Sequence, residues 1–252
     1  MELVYSILSW HLIDYSTGLF LFFLQSCMFF WSYSVYWHCS AAHKHFTIAP
    51  WFQHILRFWQ WINSTLWYHG HLTKYVAEHR IHHLYTDTDR DPLTPRRFSL
   101  RELCTYEQRE GAARYISPED VAKHGDPTVE PNDRASMFYK KHQFRGVWIS
   151  TFVWTVLLGP LGFVLGYLLP LYHQHFSTFV GDYFWHKIGY KHPNSKDDAR
   201  NFWPIIFLEG LHGNHHALPR QVNRACRWFE FDFFYYGCVV MSWFGIFKFK
   251  RS

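Results

Sequence analysis

Lysine and arginine are absent from two long parts of this chain, and that absence limits the possible folds more than any other feature. The first part runs from Met1 to His43 and the second from 146 to 186, so all 25 basic residues lie in 44–145 or 187–252. Both parts coincide with the most apolar stretches of the sequence. Membrane proteins concentrate lysine and arginine on their cytosolic side. The pattern therefore favours an integral membrane protein with one cytosolic face over a soluble protein with buried apolar helices.

Three apolar segments define the predicted membrane topology. Residues 16–37 carry no charged side chain and are long enough to cross a hydrocarbon core of about 30 Å as one helix. Residues 146–184 are too long for one crossing and are broken by GPLG at 159–162 and by Pro170, which predicts a hairpin of two spans. Residues 50–68 mix apolar with polar and charged side chains, which is typical of a helix lying in the interface. The simplest topology has three crossings, because a hairpin returns the chain to the side from which it entered.

The composition agrees with a broad contact between protein and membrane surface. Aromatic residues make up 21% of the chain, with 13 Trp, 16 Tyr and 25 Phe, and aromatic rings favour the headgroup level of a bilayer. The cysteines are scattered and form no C-x-x-C pair, which indicates free thiols in a reducing compartment. They are Cys27, Cys39, Cys104, Cys226 and Cys238.

A histidine motif, H-x-x-H-H, occurs twice among the 19 histidines. It reads HRIHH at residues 79–83 and HGNHH at residues 212–216. On a helix, positions i, i+3 and i+4 share one face, so three imidazoles can point the same way. Each triple can give three ligands to one metal ion or divide its ligands between two ions.

Further histidines stand next to the predicted spans. HCSAAH supplies His38 and His43 directly after residues 16–37. Five residues of regular helix separate two side chains by about 140°, so this pair needs a distorted helix end or contacts different metals. His186 follows the hairpin, and Asp182 lies four residues earlier on the same face. The candidate ligands are Asp182 and nine histidines: His38, His43, His79, His82, His83, His186, His212, His215 and His216.

Nine imidazoles are too many for one metal ion and suit two ions with four or five ligands each. Imidazole binds zinc, copper, iron and nickel, but zinc is usually satisfied by four ligands and has no redox chemistry. A paired, nitrogen-rich site at a membrane surface favours iron and oxygen activation. The predicted fold class is an all-α integral membrane protein. We expect a single domain, 1–252, with few transmembrane helices and a helical cytosolic cap formed by 38–145 and 185–252. This arrangement holds a histidine-rich dimetal site.

The aspartates of the run TDTDRDP are not a calcium-binding loop. Pro92 stands where that loop needs glycine, and Phe98 where it needs glutamate. Metal-bound histidines usually donate their second N–H to a carboxylate or carbonyl, so we predict that carboxylates near the motifs accept these bonds. An Asp-rich turn that caps helices is the alternative. The predicted acceptors are Asp87, Asp89, Asp91 and Glu209.

The chain resembles the membrane fatty acid desaturase family, in particular its acyl-CoA and acyl-lipid delta-9 branch. Three family motifs stand in order as HCSAAH, HRIHHLYTDTDRDP and EGLHGNHH, and the resemblance covers residues 16–247. It implies a di-iron centre held by the nine histidines and an O₂-dependent reaction that introduces a cis double bond into a saturated acyl chain. It also implies a fatty acyl substrate bound to CoA, lipid or a carrier protein. A separate ferredoxin or b-type cytochrome with its reductase would deliver electrons, and no nucleic acid partner is expected.

Two positions depart from the family pattern. Asp182 stands where the family has an Asn that holds a water on one iron, so it could bind iron directly or through water. Only 37 residues precede His38, whereas family members usually have two spans there, which predicts an N-terminus on the far side of the membrane.

Two other functions fit parts of the pattern. A di-iron hydroxylase or oxidase of an alkyl, sterol or carotenoid substrate could use the same scaffold. A non-catalytic metal-binding membrane protein, such as a zinc transporter, would place its ligands inside the bilayer on crossing helices. The clustered histidines lie at span ends or beyond, on the side rich in lysine and arginine, which favours catalysis with an active site on the cytoplasmic side. No residue is predicted to bind substrate.

Overall fold

The computed structural model describes residues 11–62, 72–94, 96, 99, 101, 116–130, 132–175, 181–202 and 209–250. These parts are predominantly helical, as predicted. The α-helices are α1 (Tyr15–Phe30), α2 (Pro50–Ile62), α3 (Leu72–Tyr85), α4 (Pro118–His124), α5 (Arg134–Lys141), α6 (Gln143–Leu158), α7 (Pro160–Phe163), α8 (Leu169–His175), α9 (Gly181–Trp185), α10 (His212–Ala217) and α11 (Phe233–Trp243). Two π-helical segments, π1 (Trp31–Ala42) and π2 (Val164–Leu168), a 3₁₀ turn (Pro127–Val129) and strands β1 (Phe46–Ile48) and β2 (Phe247–Phe249) complete the elements.

The chain divides into two compact units. The first unit comprises 1–33, 53–70 and 131–174, and the second comprises 34–52, 71–130 and 175–252. All nine candidate histidines belong to the second unit.

The N-terminal apolar segment forms one continuous helix. It begins after Asp14, whose carboxylate caps the first turn by accepting a hydrogen bond of 2.8 Å from the backbone N–H of Thr17. The helix α1 passes directly into π1, so that Tyr15–Ala42 is helical throughout. Among the described residues this is the one helix long and apolar enough to cross a membrane. It contains the predicted span 16–37 and extends beyond it to Ala42.

A helical hairpin occupies the second apolar region. Its arms are α6 and the run α7–π2–α8, and they meet at Gly159, which has a φ of +60°. Glycine adopts that conformation without a steric penalty. A Cβ at Gly162 would lie 1.9 Å from the backbone oxygen of Trp154, so the arms pack closely only because this residue has no side chain. The indole N–H of Trp154 donates to the Gln25 side chain at 3.0 Å, and Leu158 and Leu165 are buried beside the Trp154 ring.

Helix α2 covers the first part of the predicted interfacial helix, and residues 63–68 of that prediction lie outside the described residues. Trp51, Ile55 and Phe58 are exposed, and their spacing places them on one side of the helix. The opposite side carries the buried Arg57, which pairs with the Asp133 carboxylate at 2.8 Å. The helix is therefore amphipathic, with an apolar outer face.

A two-stranded antiparallel sheet joins distant parts of the second unit. Phe46 of β1 pairs with Phe249 of β2, and Ile48 pairs with Phe247. Strand β1 follows π1 and strand β2 follows α11. The sheet therefore holds α11 near the end of π1, within the unit that contains the histidines.

Candidate metal centre

The structure brings the nine histidines together in two groups. In each group the possible ligand atoms all lie within 4.8 Å of one another. The first, the five-histidine group, consists of His38, His43, His79, His83 and His215. The second, the four-histidine group, consists of His82, His186, His212 and His216.

The separations between Nε2 atoms fit a metal ion at the centre of each group. In the five-histidine group, the Nε2 atoms of His38 and His215 are 3.0 Å apart. In the four-histidine group, the Nε2 atoms of His186 and His212 are 3.1 Å apart. Two nitrogens bound to one ion at about 2.1 Å lie roughly 3.0 Å apart at a right angle and about 3.4 Å apart at a tetrahedral angle. The donor sets therefore suit one ion in each group.

Each H-x-x-H-H triple divides its ligands between the two groups. On α3, His79 and His83 enter the five-histidine group and His82 enters the four-histidine group. On α10, His212 and His216 enter the four-histidine group, whereas His215 enters the other. Side chains four residues apart on an α-helix point in more similar directions around the helix axis than side chains three residues apart. Both motifs therefore send the i and i+4 imidazoles to one group and the i+3 imidazole to the neighbouring group.

The pair His38 and His43 reaches the same group because the helix is wound as a π-helix there. The backbone N–H of His43 donates to the carbonyl of His38 at 3.1 Å, a hydrogen bond between residues five apart. A π-helix has this bonding pattern and occurs frequently at functional sites. It brings the two ring centroids to 4.9 Å. Of the two predicted alternatives, the structure has the distorted helix end rather than ligands for different groups.

Carboxylates accept hydrogen bonds from Nδ1 of four histidines. Asp91 accepts from His82 at 2.8 Å, and Asp87 accepts from His186 at 3.1 Å. The other two bonds join Glu209 to His38 at 3.4 Å and Asp197 to His216 at 3.1 Å. A proton held on Nδ1 leaves the Nε2 lone pair directed into the group, which is the tautomer a metal requires.

The aspartate run contributes two of its three carboxylates to the site. Asp87 adopts a φ of +61° and is buried, and its backbone N–H donates to Asp91 at 2.8 Å. Asp91 is 0% exposed. Asp89, also predicted as an acceptor, is exposed on this turn, and among the described residues it has no hydrogen bond to a histidine. The bend at Asp87 and the alternation of the turn direct Asp89 to the surface.

Asp182 lies on α9, one turn before His186. Its side chain is outside what the structure describes, so its role as a ligand stays a prediction.

Sequence reasoning missed three residues that support the site. Asp197 lies in a loop between α9 and α10, with no motif to mark it, and only the folded chain brings it to His216. The Arg224 guanidinium is buried and pairs with the Glu209 carboxylate. Asn214, inside HGNHH, donates to the Glu230 carboxylate at 2.8 Å and thereby fixes α10. The HGNHH spacing marks Asn214 as close to the ligands but does not indicate its partner.

Burial and neighbouring charges set the protonation state of three of the histidines and of Glu209. Burial first, and neighbouring imidazoles second, lower the pKa of His79, His212 and His215 well below the ordinary value. Neutral imidazole is the form that binds metal. Burial raises the pKa of Glu209, but Arg224 and His38 outweigh it and lower that pKa to about 2. These three histidines are therefore neutral nitrogen donors, and Glu209 is a negatively charged acceptor beside His38.

Comparison with curated proteins relates this chain to named enzymes. The sn-1 stearoyl-lipid 9-desaturase of Anabaena variabilis is 28% identical over 77% of this chain and 69% of the relative. The chain is homologous to delta-9 fatty acid desaturases. The sn-1 stearoyl-lipid 9-desaturase of Synechocystis sp. is 27% identical over 84% of this chain and 64% of the relative. The delta-9 acyl-lipid desaturase 2 of Arabidopsis thaliana is 26% identical over 81% of this chain and 64% of the relative.

These relatives confirm the resemblance to the delta-9 branch. No protein-family model matches the chain. The chain spans about two thirds of the length of the cyanobacterial relatives, 69% and 64%.

Proposed function

We propose that the chain is an O₂-dependent di-iron fatty acyl desaturase that introduces a cis double bond, at the delta-9 position, into a saturated acyl chain. One observation carries the proposal: nine histidines form two adjacent nitrogen-donor groups in a chain whose curated relatives are named delta-9 desaturases. The fatty acyl substrate is bound to CoA, to a lipid or to a carrier protein.

The five-histidine and four-histidine groups would each hold one iron ion, and Asp182 would contribute to one of them. Iron, when bound, would supply the O₂ activation needed to break an unactivated methylene C–H bond. The carboxylates of Asp87, Asp91, Asp197 and Glu209 hold protons on the Nδ1 atoms and fix the imidazole orientations. Burial lowers the pKa of His79, His212 and His215 and thereby favours the neutral form that binds metal.

The overall reaction balances with a separate electron donor. The acyl chain gives up two electrons and two protons as –CH₂–CH₂– becomes –CH=CH–. The donor gives two further electrons, the solvent gives two further protons, and O₂ is reduced to two waters. We infer that the donor is a ferredoxin or a b-type cytochrome with its reductase, because the resemblance to the desaturase family implies one.

The location we propose is an integral membrane protein with its active site on the cytoplasmic side. The outer side of α1 exposes Leu19, Phe20 and Phe23, and α6 exposes Trp148 and Phe152. Continuous apolar faces of this kind, together with the one candidate span found among the described residues, support contact with lipid. The distribution of lysine and arginine supports the orientation.

The fatty-acid profile of expressing cells, with double-bond positions, tests the proposal. Wild type should produce a new monoene that the double variant His82→Ala, His83→Ala does not produce. The control is His192→Ala, because His192 belongs to neither group and bonds within a surface turn. This control should match wild type. A hydroxylated product would favour the hydroxylase alternative, and an unchanged profile despite iron-loaded protein and a matched donor would contradict the proposal.

A further inference from the structure

Helix α11 has an apolar outer face that the fold leaves uncovered. Its 11 residues, FFYYGCVVMSW, include no charge. Phe234 and Cys238 are buried, whereas Phe233 is 59%, Val240 43% and Trp243 75% exposed. A helix of this length extends about 16 Å, roughly half of a hydrocarbon core. It is therefore too short to span a bilayer and too exposed to be a core helix.

Helix α11 is connected to the end of the candidate span. The Arg224 guanidinium donates to Sγ of Cys39 in π1 at 3.3 Å, and the Arg224 backbone N–H donates to Asp232, the residue before α11, at 2.9 Å. The strand β2 that follows α11 pairs with β1, which follows π1. The backbone N–H of Ala49 also donates to the carbonyl of Ile246 at 2.8 Å. The exposed face of α11 is thus fixed beside the point where the chain would leave the membrane.

An exposed aromatic residue outside α11, Trp51, belongs to the same region. Trp51 is 56% exposed, and its neighbour Phe52 packs against Phe247 with ring centroids 5.9 Å apart. Trp51 therefore sits at the sheet that anchors α11.

Cations follow the aromatic face along the chain. Gly245 has a φ of +70°, which ends α11 in a conformation that favours glycine. Along β2, Phe247 is buried while Lys248 is exposed, and Lys250 next to the strand is exposed as well. Lysines beside an aromatic face match the headgroup region of an anionic bilayer, where rings occupy the boundary and ammonium groups meet phosphate.

We propose that Trp51 and the outer side of α11 form a lipid-binding face that lies in the interface of the membrane, parallel to its surface. This face anchors the histidine-containing unit to lipid in addition to the spans, and the inference rests on the proposed membrane location. A lipid surface fits better than a protein partner, because the face has no charged group to orient a partner, whereas aromatics, flanking lysines and adjacency to the span all match a bilayer boundary.

Spin-label accessibility in proteoliposomes containing anionic phospholipid tests the proposal without requiring catalysis. Labels are placed singly through Val240→Cys and Trp243→Cys, with Lys196→Cys in an exposed polar loop as the control and Phe23→Cys on α1 as the reference for a spanning segment. The parent protein carries Ser in place of Cys27, Cys104 and Cys226, and keeps the buried Cys39 and Cys238.

Collision rates with oxygen, which partitions into lipid, and with a water-soluble nickel chelate report depth at each label. We expect an oxygen-to-nickel ratio several-fold higher at positions 240 and 243 than at position 196, and higher still at position 23. If the nickel chelate reaches positions 240 and 243 as readily as position 196, the lipid-binding face is wrong, while the proposed membrane location stands. Low access to both reagents there would overturn it in favour of a second copy or another protein covering the face. Nickel access at 23 would overturn the membrane location itself.

Discussion

Asp91 and Asp89 are equivalent in the sequence motif but differ in the folded chain, and replacing each by Asn separates their roles. The Asp91 carboxylate accepts three hydrogen bonds: from Nδ1 of His82 at 2.8 Å, from the backbone of Asp87 at 2.8 Å and from the backbone of Leu93 at 2.9 Å. It is fully buried, whereas Asp89 is exposed.

The expected loss for Asp91→Asn follows from these contacts. An amide keeps one acceptor oxygen but directs an N–H₂ group at one of the former donors, which leaves a buried donor unpaired at a cost of about 1–3 kcal/mol. Loss of the partner of a metal-bound histidine typically lowers metal affinity by about 10- to 100-fold. Asp89→Asn changes an exposed side chain, so its effect on stability should stay within about 0.5 kcal/mol.

The assay is competition for iron between the purified protein and a chelator, together with thermal unfolding. Asp91→Asn should release iron at roughly 10- to 100-fold lower chelator concentration than wild type, and Asp89→Asn should follow wild type. Equal behaviour of the two variants, or wild-type affinity in Asp91→Asn, would refute the assignment of Asp91 as the partner of His82.

Three further predictions use matched variants. Asp197→Asn should weaken metal binding because it alters the acceptor of His216. Asp198→Asn breaks only surface ion pairs, so it should change the free energy of unfolding by less than about 1 kcal/mol. Metal analysis and thermal unfolding compare the two variants. Asp87→Val should unfold more easily than Asp87→Asn by about 1–2 kcal/mol, since a branched residue resists a φ of +61°; equal melting temperatures would contradict this. Gly162→Ala should sharply reduce the yield of folded protein because its Cβ meets the opposite hairpin arm, whereas Leu161→Ala should not; size-exclusion profiles measure the difference.

The sequence predicted a set of nine candidate histidine ligands, but it did not predict how the structure divides them between two groups. The i, i+3, i+4 spacing required a helix to bring three imidazoles to one face, and α3 and α10 provide it. The spacing could not assign His82 and His215 to groups opposite to those of their neighbours, because that depends on how two helices face each other. Local periodicity carries no such information.

The five-residue spacing of His38 and His43 had two possible explanations at the level of sequence. Helical periodicity assumes a regular α-helix, in which the two side chains diverge. The π-helical hydrogen bond between the two residues explains how both reach one group, but no residue pattern predicts a π-helix. The apolar stretch itself and the break at Gly159 in the hairpin were predicted. Both depend on the length, charge and glycine or proline content of a short segment, which the sequence gives directly.

The carboxylates that accept hydrogen bonds from the histidines show the same limit of prediction from sequence. Asp87 and Asp91 were predicted with Asp89 because alternation in a short run cannot tell a buried carboxylate from an exposed one. Asp197 could not be predicted, since it is a loop residue that meets His216 only after folding.

The central claim is that two histidine groups hold two irons, and metal analysis of protein purified in detergent tests it most directly. Wild type should contain two iron ions per chain. His43→Ala in the five-histidine group and His212→Ala in the four-histidine group should each lose iron, while His192→Ala should retain both ions. A single ion per chain, zinc in place of iron, or full iron content in both ligand variants would contradict the account.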